Sequence, residues 1–157
     1  MYILGRIYNK NETGKYMNKD IEIQLNSVVI PLLFCRLENA EINELYTNIY
    51  TKIEHSENNK RECTVEMRIQ WTQQKEDKTS INLDIAMRGI FSIYNVESKD
   101  FEKVMRVNCC AMLYPYLREA VSRVSSTSLY GKPYFLPSKN FVKMYNEWLD
   151  DKKHQNK

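Results

Sequence analysis

The chain has 157 residues, a formal net charge of +3, 43% hydrophobic residues and only four glycines and four prolines. That balance describes one folded globular domain long enough to bury a core without staples; it excludes a disordered chain and is too weakly basic to argue for nucleic acid by charge alone. The longest apolar run, Val28–Cys35, is broken by Pro31 and falls far short of the ~20 residues that span a bilayer; with no signal-peptide pattern after Met1–Leu4, the expectation is a soluble cytoplasmic protein without direct membrane insertion.

Residues 1–20 are polar and rich in Asn and Lys, with Gly14 in the middle, and read as a poorly ordered N-terminal arm. Ile21, Ile23 and Leu25 then alternate with polar residues, the period of a half-buried strand. Val28–Ile30 and Leu32–Phe34 continue it with apolar residues on both faces, which need cover on both sides. Pro31 cannot donate to a ladder and predicts an edge or a bulge. An apolar edge is an aggregation hazard unless another subunit pairs with it, the first sign of an oligomer. Past a polar stretch, Leu45, Thr47, Ile49, Thr51 and Ile53 share one face of a second strand, and Tyr46, Asn48, Tyr50 and Lys52 share the other. The third strand alternates most clearly, with Cys63, Val65, Met67, Ile69 and Trp71 inward. The fourth sets Ile81, Leu83, Ile85 and Met87 against Asn82, Asp84, Ala86 and Arg88, and ends in Gly89–Ile93. Three or four antiparallel strands with short polar turns make one sheet with one wet face.

Beyond Asn95 the period becomes helical. Phe101, Val104, Met105, Met112, Tyr116, Ala120 and Val124 predict a helix over about 99–124. Val107, Ala111, Leu113, Leu117 and Val121 widen its apolar surface past the usual ~100° stripe, so one face covers the sheet and the rest meets another subunit. Val104, Ala111, Met112, Tyr116 and Leu117 are the expected interface residues. Pro115 predicts a kink or local opening. The linker Ser128–Pro137 places Tyr130, Tyr134, Phe135 and Leu136 close together, and Asn140–Asp150 forms a short amphipathic helix with Phe141, Met144, Tyr145, Trp148 and Leu149. Residues 151–157 are a charged tail, leaving 21–150 as the folded domain.

The chemistry of sites is thin. Cys35, Cys63, Cys109 and Cys110 make no C-x-x-C pair, and His55 and His154 are remote from them in sequence, so no zinc site is expected and the thiols read as reduced and buried. Two histidines, no P-loop, no G-x-G-x-x-G and no G-x-S-x-G leave no basis for acid–base or phosphate chemistry. The expectation is a protein that is not an enzyme and takes no cofactor. Arg61, Arg68, Lys75, Lys78 and Arg88, with Trp71 and Tyr50 nearby, sketch a nucleic-acid-binding sheet, but Glu62, Glu66, Glu76, Asp77 and Asp84 are interleaved with them. The surplus of aromatic and methionine residues near the linker and last helix suits a groove for extended apolar segments of varied sequence.

Three stretches, Arg88-Gly89-Ile90-Phe91-Ser92-Ile93, Asn108–Glu119 (NCCAMLYPYLRE) and Tyr134–Phe141 (YFLPSKNF), resemble in order and spacing the motifs of SecB, the bacterial protein-export chaperone. The resemblance covers roughly Ile21 to Leu149. It implies an α+β fold, a four-stranded antiparallel sheet followed by a long helix and a short C-terminal helix, assembled as a homotetrameric dimer of dimers. It also implies an ATP-independent holdase that binds unfolded polypeptides and keeps preproteins competent for export. Matched by segment, the client groove would draw on Tyr46, Ile49, Ile53, Tyr130, Tyr134, Phe135, Leu136, Tyr145 and Trp148. Family members that hand clients to the SecA motor use acidic residues of the first and fourth strands. Asp84 matches one such acid, while Asn82 stands in place of a neighbouring leucine and the first strand offers no acid around Pro31–Cys35. The basic end Lys152–Lys157 also departs from the acidic tails of familiar members. A SecB-like chaperone that protects an antitoxin accounts for those departures equally well.

Overall fold

Alternation is strictest between Cys63 and Trp71, and this segment lies inside the sheet with partners on both sides. The computed structural model describes residues 2–10, 16–35, 44–57, 60–75, 78–128 and 133–155, with side chains for 20–35, 47–50, 60–71, 83–127 and 133–154. Five antiparallel strands, β1 (Tyr2–Lys10), β2 (Tyr16–Cys35), β3 (Glu44–Glu57), β4 (Lys60–Lys75) and β5 (Lys78–Tyr94), form one sheet in the order β1-β2-β5-β4-β3. A helical stretch follows: α1 (Ser98–Lys103), a π-helical segment (Val104–Cys109) and α2 (Cys110–Ser128), and then α3 (Phe141–Gln155).

The four expected strands are β2 to β5, and the two helical segments follow them as expected. β1 is an addition. Of residues 1–20, read as a polar arm, the described ones, 2–10 and 16–20, instead supply sheet backbone: Ile3 pairs with Ile23, Ile7 with Lys19 and Lys10 with Tyr16. The Asn and Lys content hides a strand pattern carried by Tyr2-Ile3-Leu4 and Ile7-Tyr8, residue types that favour a pleated surface.

One face of the sheet is the core. Ile21 and Ile23 on β2, Cys63 to Trp71 at alternate positions on β4, and Leu83, Ile85, Met87, Phe91 and Ile93 on β5 are all buried beneath the helices. On β2 the register shifts between Leu25 and Ser27 and again between Val29 and Leu32, so the expected break at Pro31 is a bulge. β1 reaches only as far as Gln24, where Tyr2 pairs. From Leu25 onward β2 therefore has a free outer edge among the described residues, which is the other half of what Pro31 predicted.

Helical phase is where sequence and structure part. Phe101, Met105, Cys109, Leu113, Leu117, Val121 and Ser125 are all buried, a step of four throughout. A straight α-helix turns about 40° too far at each four-residue step. The wider π turn at Val104–Cys109 holds more residues per turn and swings the stripe back onto the sheet. Extrapolated at the α-helical period, the stripe falls on Tyr116, Ala120 and Val124; in the fold Tyr116 is exposed and Ala120 and Val124 are only half-buried. The same turn buries the neighbours Cys109 and Cys110 together. Where α2 crosses β5, a Cβ at Gly89 would lie 2.6 Å from the Phe91 ring and 3.2 Å from Leu113 Cδ1, so glycine is what lets helix and strand approach.

The described part of the linker, 133–137, is held at Tyr134 and at Pro137. Leu136 is buried in the core, Ser125 Oγ accepts from the Tyr134 N–H at 2.7 Å, and the Tyr114 hydroxyl donates to the Pro137 carbonyl at 2.5 Å. Asn140 Oδ1 accepts from the Lys143 N–H at 3.0 Å and caps α3. Phe141 meets Tyr114 edge-on at 5.4 Å.

Candidate functional site: two apolar grooves

The first groove lies between β3 and α3. Thr47, Asn48 and Ile49 form one wall and Met144, Tyr145, Trp148 and Asp151 the other, with Arg106 at the base; it encloses about 330 Å³. Tyr145 and Trp148 stack at 5.8 Å. The Arg106 guanidinium sits 3.9 Å from the Trp148 ring centre and the Lys152 ammonium 4.7 Å from it, contacts that hold the indole by its negative face. Arg106 also bonds Glu102 one turn earlier at 2.6 Å, which steadies the guanidinium that faces Trp148. Ile49, Tyr145 and Trp148 were expected in a client groove, and the fold brings them together.

The remaining candidates divide. Tyr134 packs against Trp71 at 6.1 Å and is half-buried, while Phe135 beside it is 67% exposed. Leu136 is 1% exposed and belongs to the core instead of a groove, because the bonds at Tyr134 and Pro137 turn it inward. Ile53 pairs with Cys63 and Tyr46 with Gln70, positions on opposite faces of the sheet; their side chains lie outside the described residues, as does Tyr130 altogether. Arg106, Thr47 and Met144 were not anticipated. Only the π turn aims Arg106 at α3, and no sequence period announces it.

The second groove runs between the free edge of β2 and α2. Val28, Ile30, Leu33, Met87, Tyr116, Ala120 and Val124 line about 420 Å³, with Glu119 and Arg123 at the rim. Around it Val29, Ile30, Leu33 and Phe34 are each 41–54% exposed and Ile90 and Tyr116 nearly 40%. Of the residues expected at a subunit interface, Val104, Met112 and Leu117 are buried against the sheet, a consequence of the shifted helical phase; Ala111 and Tyr116 face outward.

On the open face of the sheet the charges pair internally. Arg68 grips Asp84 through Nε–Oδ1 at 2.7 Å and Nη2–Oδ2 at 2.5 Å, and Gln70 donates to the same carboxylate at 3.1 Å. The bonds from Arg68 hold the Asp84 carboxyl below its ordinary range, outweighing burial, and in turn raise Arg68. Arg88 holds Glu66 at 2.7 Å. Arg61 is on the helix-covered face instead, where it bonds Ser98 and lies 4.8 Å over the Phe101 ring. The described arginines of the suggested nucleic-acid face are thus engaged within the chain. Lys75, Lys78 and the Asn82 side chain lie outside the described residues. Among the described residues no cluster of three or more His, Cys, Asp or Glu is placed to hold a metal, and no helix is long and apolar enough to cross a membrane.

One antiparallel sheet, the helices that cross it and two open grooves define the class: an α+β protein that leaves apolar side chains exposed. The chain belongs to the SecB family: the family model described as preprotein translocase subunit SecB matches residues 22–152. It is similar to the protein-export protein SecB of Aromatoleum aromaticum, 29% identical over 81% of this chain and 76% of that one. The protein-export protein SecB of Nitrosospira multiformis is 28% identical over 81% and 75%, and that of Azoarcus sp. is 36% identical over a shorter match covering 46% and 47%. Among solved structures the fold is similar to a Mycobacterium tuberculosis SecB-like chaperone in complex with a ChAD peptide from an antitoxin, with TM-score 0.51, 13% identity and coverage of 75% and 88%. A Streptococcus agalactiae protein of unknown function shares it at TM-score 0.53 and 12% identity, covering 75% and 98%.

Proposed function

We propose that this chain is an ATP-independent holdase that binds unfolded polypeptides in its apolar grooves. One observation carries the reading: two grooves coexist with large hydrophobic side chains exposed by as much as 67%, surface that a monomeric protein rarely leaves open without a partner. Binding the unfolded state lowers its free concentration and so suppresses aggregation and premature folding. The β3–α3 groove with Phe135 is the client side. The β2–α2 groove is the assembly side, where a free apolar strand edge beside an apolar helix face suits a second copy and leads to the homotetramer. The chaperone works in the cytoplasm, on clients that have not yet folded.

Preproteins bound for export are the first client class, in keeping with the family. A second reading, protection of an antitoxin, is favoured by the state of Asp84. The acid that would dock the SecA motor is buried and chelated by Arg68, so it offers little free charge to a partner. The test pairs two measurements: light scattering of a denatured client diluted into buffer with the chaperone, and a pull-down against purified SecA. Suppression with SecA retained supports export; suppression without SecA retention supports the antitoxin role; absence of suppression removes both.

A further inference from the structure

β2 is 20 residues long, and only part of its outer edge is covered. β1 lies on that edge and pairs from Lys10–Tyr16 to Tyr2–Gln24. The pairing ends where β2 is bulged, between Leu25 and Ser27, and a bulge turns the strand and interrupts its ladder. From there to Cys35 no strand lies on the outer side among the described residues. The two parts differ in chemistry too. β1 carries Arg6, Asn9 and Lys10, and charged residues blunt a strand edge. On the open part Val29, Ile30, Leu33 and Phe34 are each 41–54% exposed. The match to the family model begins at residue 22, so β1 lies outside it.

Register between strands is fixed where a slip would carry polar residues into an apolar face. Along Val28–Phe34 a slip exchanges one apolar residue for another, so these side chains alone leave several near-equal pairings open to two copies that meet here. We propose, resting on the reading of the β2 side as the assembly side, that β1 is a register stop: it closes the edge of β2 from Tyr16 to Gln24 and confines a second copy to residues 25–35. The occupant is a second copy because a two-fold contact must be self-complementary. Here an apolar edge meets its own equivalent, and the rim supplies one acid and one base, Glu119 and Arg123, paired along α2 within each copy. Two equivalent edges related by a two-fold axis run antiparallel. A partner strand that slides toward Tyr16 meets the Tyr2 end of β1, and the partner's β1 blocks the same slide at the other end. Sliding the opposite way shortens the ladder and uncovers apolar surface. The longest pairing that both stops permit is the one selected.

The test follows amide hydrogen exchange of the full chain at two concentrations, read on peptides from 16–24, 25–35 and β4. For a contact between two copies, a dilution of about a hundredfold raises the unpaired share about tenfold. Exchange in 25–35 should therefore quicken about tenfold on that dilution. Exchange in 16–24 should not change, because β1 belongs to the same chain, and β4 should not change either. The full-length double variant Leu4→Pro, Ile7→Pro sets proline at both strand parities of β1 and removes ladder donors. It should make 16–24 concentration-dependent and replace a single assembled mass by a mixture in light scattering coupled to gel filtration. Concentration-dependent exchange of 16–24 in the wild-type chain, or a folded variant that keeps one wild-type mass, would overturn the register stop. If β4 also loses protection in the variant, the variant is unfolded and the wild-type comparison decides alone. Exchange in 25–35 that ignores concentration would overturn both the stop and the assembly side. Suppression of client aggregation by the same samples separates the holdase: suppression with a failed stop leaves the holdase standing, and an intact exchange pattern without suppression leaves only the stop.

Discussion

Gly89, Asp84 and the cysteines each turn a local geometry into a measurable consequence. A methyl group at Gly89 has to share space with the Phe91 ring and Leu113. Gly89→Ala should therefore lose about 1–3 kcal/mol in urea unfolding by overpacking. An unchanged midpoint would mean that α2 sits farther from β5 than described. Asp84 is a carboxylate held below its usual range by Arg68. Its contribution to stability is complete above the unfolded aspartate value near 3.9 and is lost as pH falls through the lowered folded value. Asp84→Asn should flatten the fall in Tm below about pH 4; a profile identical to wild type would show the pair contributes nothing there. Cys109 is raised well above its ordinary value by burial and by Cys63 beside it, and Cys110 is pushed up to about 12 by burial. A thiol reagent at neutral pH should modify only the half-exposed Cys35 in the native protein, and all four after denaturation.

At the scale of elements, β4 and β5 were legible because one buried face forces a strict period of two, and the bulge and edge of β2 followed from Pro31 alone. The helix was legible in existence but not in phase. Its buried positions recur every four residues, and the π turn that makes this fit leaves no mark in the apolar pattern, so Leu117 and Met112 read as interface when they are core. β1 was hidden by its polar composition. Of the groove, Ile49, Tyr145 and Trp148 could be chosen from the sequence, but whether Leu136 points in or out is decided by the Tyr134 and Pro137 backbone bonds. The free edge of β2 carries its own prediction. Leu33→Lys places a charge on a residue already 54% exposed, so folding should persist while the assembly falls to a smaller species in light scattering coupled to gel filtration. Retention of the wild-type mass would separate this edge from the assembly.

For the whole molecule, one small domain divides its exposed apolar surface between two sides of a single sheet-and-helix scaffold. In the proposed function the side beside β2 would serve assembly and the side beside β3 clients, and the π turn relates the two by setting the face of α2 and placing Arg106 against Trp148. Phe135→Ala removes a ring that is largely in solvent, so the unfolding free energy should stay within about 0.5 kcal/mol of wild type while client binding weakens. A marked loss of stability would identify that ring as core of the assembled protein. The central claim is tested most directly by diluting a denatured client into buffer without nucleotide, with and without this protein, and following light scattering. The account predicts that an equimolar amount of assembled protein suppresses scattering and that Trp148→Ala reduces the effect; scattering unchanged by the wild-type protein would contradict it.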